Sequence, residues 1–428
     1  MPKLAINGGT KIRTKLFPRY NNINENEIDE VVKVMKKGIL SKYLGAWHED
    51  FYGGEKVQEF EKDWSEYFNI KHSISVNSNT SGLITALGAC GIGLGDEVIV
   101  SPYSMSISAS APLFWNATPV FCDLEANTYS FCIKSLKKAI TKNTKAIVVV
   151  HIFGCPSNMK EIQEVAKEHN LYVIEDCAQA PGAKYDEKYV GTLGDIGVFS
   201  LNYHKHIHTG EGGVCVTNSD DLANKMQLIR NHAESVVENK GETQLSNMLG
   251  FNFRLTEIQA AIGIEQLKKL QSELEVRQKY AKMYDEALGK YPFIKTTKLK
   301  NRTHSYYVQA FEFLEDIAKV SRDKFIMAVK AELEAVQDRE NEGVPIGQGY
   351  VKPIYLLPMF QNKIAYNKQN FAFKDEISYE KGICPNVEKF HYKTLWTHDF
   401  TRSPLSKEDV KDVINAYVKV CENLDELK

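Results

Sequence analysis

From about residue 70 to 265 the chain repeats one arrangement: a short apolar run, a turn, an amphipathic helical stretch, then the next run. Strands are expected at 97–101, 120–123, 146–151, 172–176, 198–201 and 214–217, with helices at 81–90 and 159–169. Strands joined through a helix cannot pair as hairpins, because the helix carries the chain back to the end of the sheet where it began. The spacing therefore predicts an α/β domain whose mainly parallel sheet is covered on both faces. Ligands in such sheets collect at the carboxyl ends of the strands.

Residues 256–290 predict one long helix or two, with Ile258, Ala261, Ile262, Ile264, Leu267 and Leu270 on the apolar side. Beyond them the texture changes. A strand-like segment at 306–313, charged helices over 322–339, a loop at 343–350 and a last helix at 407–427 predict a smaller α+β domain. A chain of 428 residues exceeds what one core usually serves. The expected division is an N-terminal segment, 1–24, a large domain, 25–270, and a small C-terminal domain, 271–428.

The formal net charge of -2 gives no electrostatic case for nucleic acid or an anionic membrane as partner. No apolar run approaches the ~20 residues of a membrane span, and the apolar stretch in the first ten residues is too short for a signal peptide. The eight cysteines are scattered without a close pair, which predicts reduced, mostly buried thiols and a cytoplasmic location.

Polar residues gather at the expected strand ends. Val76-Asn77-Ser78-Asn79-Thr80-Ser81 leads into a helix, where backbone N–H groups and the Thr80 and Ser81 hydroxyls either cradle a phosphate or simply cap the helix. Asp176 closes the strand in Ile174-Glu175-Asp176-Cys177-Ala178-Gln179; its carboxylate can keep a pyridine nitrogen protonated or cap the next turn. Gln179 can reach a phenolic oxygen on the same ring. Ser200 either binds the same anion as Thr80 or bonds its own backbone. Lys205 follows five residues later and stands five before Gly210-Glu211-Gly212-Gly213. An amine whose pKa is lowered by its site forms a Schiff base with an aldehyde and then shuttles protons. Phosphate cradle, acidic strand end, serine, lysine and glycine turn, in that order, match a pyridoxal 5'-phosphate site.

Together with Gly91-Ile92-Gly93-Leu94-Gly95-Asp96-Glu97, His151-Ile152-Phe153-Gly154, Arg230-Asn231-His232 and Gly250-Phe251-Asn252-Phe253-Arg254-Leu255-Thr256-Glu257, these segments resemble the DegT/DnrJ/EryC1/StrS aminotransferases. These are sugar aminotransferases among the fold-type I pyridoxal-phosphate enzymes. The likeness spans most of the chain and loosens after about residue 290. It implies a large domain with a mainly parallel seven-stranded sheet, a smaller C-terminal α+β domain, and a homodimer with shared active sites. It implies Lys205 as the Schiff-base lysine, Asp176 on the ring nitrogen, Gln179 near the phenolic oxygen, and Thr80, Ser81 and Ser200 on phosphate. Asn252 is implied to reach the partner's cofactor phosphate. The implied partners are an amino acid donor, glutamate or glutamine, and a small-molecule keto acceptor, a nucleotide-linked keto-deoxysugar. A keto-cyclitol or a small phosphorylated ketone is the alternative, since residues 4–10 and the 350–355 loop are similar to cyclitol-type relatives.

The chain departs from the family in three places. Asn79-Thr80 replaces the usual Gly-Thr, and asparagine is expected to tolerate a left-handed turn there. Met105 falls where relatives place an aromatic over the cofactor ring; it covers the ring itself, or Tyr103 does. His204, His206 and His208 flank the lysine. A branch with histidine in place of that lysine dehydrates sugars, but counting back from Gly210 puts Lys205 on the reactive position. No metal is expected on the histidines. Tyr350 and Lys352 are expected either at the substrate or in packing between domains. A non-catalytic regulator is the remaining reading, and the intact Asp176 and Lys205 weigh against it.

Overall fold

In the computed structural model, which describes residues 2–126, 128–366 and 372–428, the alternating segment forms a seven-stranded sheet. Its strands are β1 (His72–Val76), β2 (Glu97–Val100), β3 (Thr118–Phe121), β4 (Thr144–Val150), β5 (Tyr172–Asp176), β6 (Ile196–Ser200) and β7 (Gly213–Thr217). They lie in the order β1-β7-β6-β5-β4-β2-β3. Neighbours from β6 to β3 are parallel, and only β7 runs against both of its neighbours. The expected fold class holds. β1 was not among the expected strands because Ser73 and Ser75 alternate with Ile74 and Val76 and hide the apolar run. Both serines are nonetheless buried: Ser73 shares a hydrogen bond with Ser65, and Ser75 donates its N–H and hydroxyl to Glu61 at 2.8 and 2.7 Å.

Helices α1 (Glu25–Lys37), α2 (Glu55–Phe68), α3 (Asn79–Ala89), α4 (Met159–His169) and α5 (Asp220–Arg230) cover the sheet and its flank. α3 is buried along nearly all its length. A Cβ at Gly82 would lie 2.5 Å from Val198 and 3.2 Å from Cys215, so only glycine lets α3 sit against β6 and β7. That contact aims the N-terminus of α3 at the carboxyl end of the sheet.

α6 (Glu257–Leu288) is one unbroken helix of 32 residues, started by a reciprocal Thr256–Gln259 cap. Leu267, Leu270 and Leu274 pack with Phe60 and Trp64 beside the large sheet. Tyr280, Tyr284 and Leu288 belong to a second core. The expected boundary at 270 falls within this continuous helix. The second core is built on an antiparallel sheet of β8 (Ile294–Thr296), β9 (Gln309–Phe313), β10 (Ile346–Gln348) and β11 (Leu395–His398), in the order β8-β9-β11-β10. α7 (Arg322–Ala331) and α8 (Lys407–Glu422) complete it.

Other boundaries differ for physical reasons. The helix expected through 339 stops at Ala331 because the backbone at 335–337 pairs with Phe17. The expected 343–350 loop contains the edge strand β10. The N-terminal residues do not stand apart. Leu4 and Phe17 are part of the second core, and Arg13 bonds Asp409 and Asp412 at 2.7 and 2.8 Å. Conversely Ile354, Tyr355, Phe360, Val387 and Phe390 pack into the core of the large sheet. Among the described residues no helix is long and apolar enough to cross a membrane. All eight cysteines are free, and only Cys132 is not fully buried.

One buried charge anchors the sheet where it matters most. Glu175, wholly inaccessible, accepts from the N–H groups of Gly191, Leu193 and Gly194 at 2.6–2.8 Å and from His151 Nε2 at 2.9 Å. His151 Nδ1 itself accepts from Ser157 N–H, so Nε2 is the donor toward Glu175. Replacing Glu175 with Gln turns one acceptor into a donor facing backbone donors. We expect Glu175→Gln to lower stability by about 3 kcal/mol, seen as a fall in the urea unfolding midpoint. An unchanged midpoint would show that the carboxylate is not the anchor.

Candidate active site

The carboxyl ends of β5 and β6, the N-terminus of α3 and the loop after β6 enclose a cavity of about 490 Å3. Of the expected residues, Thr80, Met105, Asp176, Gln179, Ser200 and Lys205 all line it. A larger hollow of about 660 Å3 lies against the last turns of α6 and β8. It contains none of these groups, so chemistry rather than size locates the site.

Asp176 is buried and held by three donors. Ser108 Oγ donates to Oδ2 at 2.7 Å, while Ala178 N–H and Asn79 Nδ2 reach Oδ1 at 3.1 and 3.4 Å. Asn79 also donates to the carbonyl of Val198 at 3.3 Å. It is the first helical residue of α3, after the extended Ser78 at φ -169°, so the left-handed turn expected at Asn79 is absent. Its amide is instead a support for Asp176.

Lys205 is 8% exposed, and its amine lies 4.3 Å from the centroid of the Tyr307 ring. Burial pushes this amine down to about 8, against the upward pull of Asp176's charge. At its backbone, Tyr20 Oη donates to the Lys205 carbonyl at 2.9 Å. The glycine turn brings β7 against the α3 cradle: a Cβ at Gly213 would lie 2.7–2.8 Å from the backbone of Ser78 and Asn79.

The amide of Gln179 has one allowed orientation. Oε1 accepts from Phe153 N–H at 2.6 Å, which leaves Nε2 as the donor toward Tyr350 Oη at 2.9 Å and toward the cavity. Phe153 adopts φ +62°, a left-handed backbone rare for a bulky residue.

The phosphate-binding expectations divide. Thr80 is exposed at the mouth, and Ser200, 7% exposed, accepts from Asn202 N–H at 3.3 Å. Ser81 does not line the cavity. Its hydroxyl bonds Asn77 Oδ1 and Ser78 Oγ, so helix capping absorbs it. Asn252 is also outside this chain's cavity; it is exposed, and its Oδ1 accepts from Arg254 at 2.7 Å. Tyr103 does not cover the cavity either. It is wholly buried, with its Oη accepting from Tyr350 N–H at 2.8 Å, whereas Met105, 57% exposed, faces the opening.

The three histidines diverge. His204 lines the cavity, its ring tilted against that of Tyr203 with centroids 3.7 Å apart. His206 donates to the Ser305 carbonyl at 2.9 Å and is kept neutral by burial. His208 accepts from Gly210 N–H. The described His, Cys and acidic side chains that do converge are His151, Glu175 and Cys177, and Glu175 there already accepts four N–H groups. Tyr350 lines the cavity, while Lys352 is exposed away from it. Ser108, Tyr307 and Tyr20 were not anticipated. Each arrives from a distant segment and carries no local signature.

The donor set suits one kind of group. A buried amine, a carboxylate fixed by three donors, an amide presenting N–H, and hydroxyls beside a helix N-terminus fit a phosphorylated pyridine aldehyde. Lys205 Nζ has no hydrogen-bond partner among the described residues and faces the cavity, which is the state a lysine needs to bond an aldehyde. Pyridoxal 5'-phosphate fits these residues.

The sequence model of the DegT/DnrJ/EryC1/StrS aminotransferase family matches residues 21–418. A GDP-perosamine synthase of Caulobacter vibrioides is 42% identical over 268 residues, 63% of this chain and 68% of that protein. An L-glutamine:2-deoxy-scyllo-inosose aminotransferase of Streptomyces lividus is 33% identical over 432 residues, 97% of each chain. The X-ray structure of an aminotransferase from Psychrobacter cryohalolentis matches with a TM-score of 0.80 at 29% identity, covering 96% of this chain and 100% of that one. With its seven-stranded sheet and its buried lysine, the chain belongs to the DegT/DnrJ/EryC1/StrS aminotransferase family and is a pyridoxal-phosphate-dependent aminotransferase.

Proposed function

We propose that this aminotransferase moves an amino group from glutamate or glutamine to the keto group of a nucleotide-linked keto-deoxysugar. The observation that carries the chemistry is the buried amine of Lys205, unpaired among the described residues, in a cavity shared with Asp176. When bound, pyridoxal 5'-phosphate supplies an electron sink through which an amino group passes between two carbon skeletons. Lys205 Nζ moves the proton as general base and then general acid. Asp176, braced by Ser108, Asn79 and Ala178, holds a proton at the pyridine nitrogen. Gln179 would present Nε2 to the phenolic oxygen, and Thr80, Ser200 and the α3 N-terminus would take the phosphate. Met105, at the cavity opening, would cover the ring.

Asn252 is exposed and outside its own cavity, a placement that suits a role in the partner's site of a homodimer. The sugar acceptor is supported by the likeness to the GDP-perosamine synthase, the higher in identity of the two relatives. A keto-cyclitol acceptor is the second reading, favoured by the match to the scyllo-inosose aminotransferase over nearly the whole chain. Free, mostly buried thiols support a cytoplasmic location.

Borohydride should fix the cofactor onto Lys205, found as a modified peptide, and Lys205→Ala should lose both that adduct and all turnover. An adduct on another lysine in the parent protein overturns the assignment. Glutamate or glutamine should convert the bound cofactor to its amine form. That form should then be reoxidised by nucleotide-linked keto-deoxysugars faster than by keto-cyclitols or phosphorylated ketones, in a single-turnover absorbance screen. The reverse ranking establishes the second reading.

Loading of the cofactor-free chain requires an unprotonated Lys205. With the amine at about 8, the loading rate should rise with pH to a midpoint near that value, well below that of an ordinary lysine. Asp176→Asn removes the charge that favours the ammonium, so its midpoint should move to lower pH. A midpoint that stays fixed or rises in this variant contradicts the pairing of roles.

A further inference from the structure

We propose that the face of the Tyr307 ring is the seat of the Lys205 ammonium, making Tyr307 a positioning residue that holds the charged amine while it carries the proton between carbon atoms. The inference deepens the reading of Lys205 as the reactive amine and rests on it. Nζ lies 4.3 Å from the ring centroid, within cation–π range, and makes no hydrogen bond among the described residues. Five other ionisable groups line the cavity, one of them Tyr203, whose ring lies against that of His204. Asp176 is already occupied by three donors, Tyr350 by Gln179, and Glu211 by Asn202 at 3.0 Å. His204 is held toward its neutral form by burial and by the neighbouring cations Arg339, Lys205 and Arg402. The tyrosine face is thus the group in contact with the amine.

The backbone that carries the ring is itself fixed. Tyr307 N–H donates to the Phe153 carbonyl at 2.9 Å, and Arg277 Nη1 donates to the carbonyls of Tyr306 and Tyr307 at 2.8 and 3.3 Å. Arg277 is almost fully buried and belongs to α6, so the helix that spans both cores sets the height of the ring above Lys205.

The electrostatics follow from the proton count. The Nζ lone pair accepts a proton from the substrate carbon, and the resulting ammonium returns it to the next acceptor carbon. During turnover, positive charge on Nζ exists only between these two transfers, and in the cofactor-free chain it is present below the pH at which the amine titrates. A buried ammonium without a partner is costly, and the π-face offsets that cost without donating or accepting a hydrogen bond. A carboxylate in the same place would bind the ammonium too tightly to release the proton, whereas a quadrupole attracts it weakly enough to let it go.

The test compares Tyr307→Phe, which keeps the π-face and loses the hydroxyl, with Tyr307→Leu, which loses both. The readout is the pH dependence of pyridoxal 5'-phosphate loading by the full-length cofactor-free chain, with attachment at Lys205 checked by borohydride fixation. Tyr307→Phe should keep the parent midpoint. Tyr307→Leu should lower it by about one pH unit and reduce kcat about tenfold, with KM for the amino donor within about twofold. Equal shifts in both variants would assign the effect to the hydroxyl, and no shift in either would show that the ring is mere packing; each result overturns the proposal. Should Tyr307→Leu fail to fold, phenylalanines carrying one to five ring fluorines at position 307 preserve the shape while weakening the quadrupole. The midpoint should then fall stepwise, and a flat series overturns the proposal. Absence of fixation at Lys205 in the parent would instead remove the reading of the lysine itself, a result distinct from an unmoved midpoint.

Discussion

An ammonium group taken out of water and given no counter-ion in contact is among the least favourable things a folded chain can contain. Lys205 is such a group, and much of the surrounding structure answers to it. Its amine escapes the penalty by giving up its proton more readily than a surface lysine does. Asp176 is near enough to act on that amine by charge but is committed to Ser108, Asn79 and the turn at Ala178. Were it free to swing onto the lysine, the pair would neutralise each other and the cavity would hold a salt bridge instead of a reagent. The supports of Asp176 therefore protect the reactivity of Lys205.

Much of this could be read before any coordinates. Helix-separated apolar runs dictate a parallel sheet, and such a sheet has one functional edge, so Asp176, Ser200 and Lys205 were legible from their positions after apolar runs. Local sequence is silent about groups brought in from afar. Ser108 comes from a one-turn helix after β2, Tyr20 from the segment before α1, and Tyr307 from the linker before β9. Tyr103 and Met105 show a different failure. Once the strand ends at Val100, alternation no longer predicts which side chain faces which way, and the loop buries the tyrosine and exposes the methionine. At Asn79 the residue type suggested a backbone role, but the helix begins there and the side chain became the working part.

Phe153 connects the two sides of the cavity. Its N–H fixes the Gln179 amide, and its carbonyl fixes Tyr307. A left-handed phenylalanine costs roughly 1–2 kcal/mol, and the surrounding bonds must over-determine it for the conformation to persist. The strain is local, yet it places a donor and an aromatic face on either side of the same space. That is geometry a relaxed extended residue at this position would not give.

The path of the first twenty residues has a consequence for how the molecule is born. Arg13 and Phe17 complete the C-terminal core, and Tyr20 then crosses to grip the backbone of Lys205. Arg13 cannot meet Asp409 until synthesis has passed residue 409 and both have left the ribosome. During synthesis the large sheet can form early, as leading segments generally do, but the segment that carries the Tyr20 clasp stays without its Arg13 anchor until residue 409 has emerged. Until then the loop bearing the reactive lysine is gripped by a tether whose other end is loose.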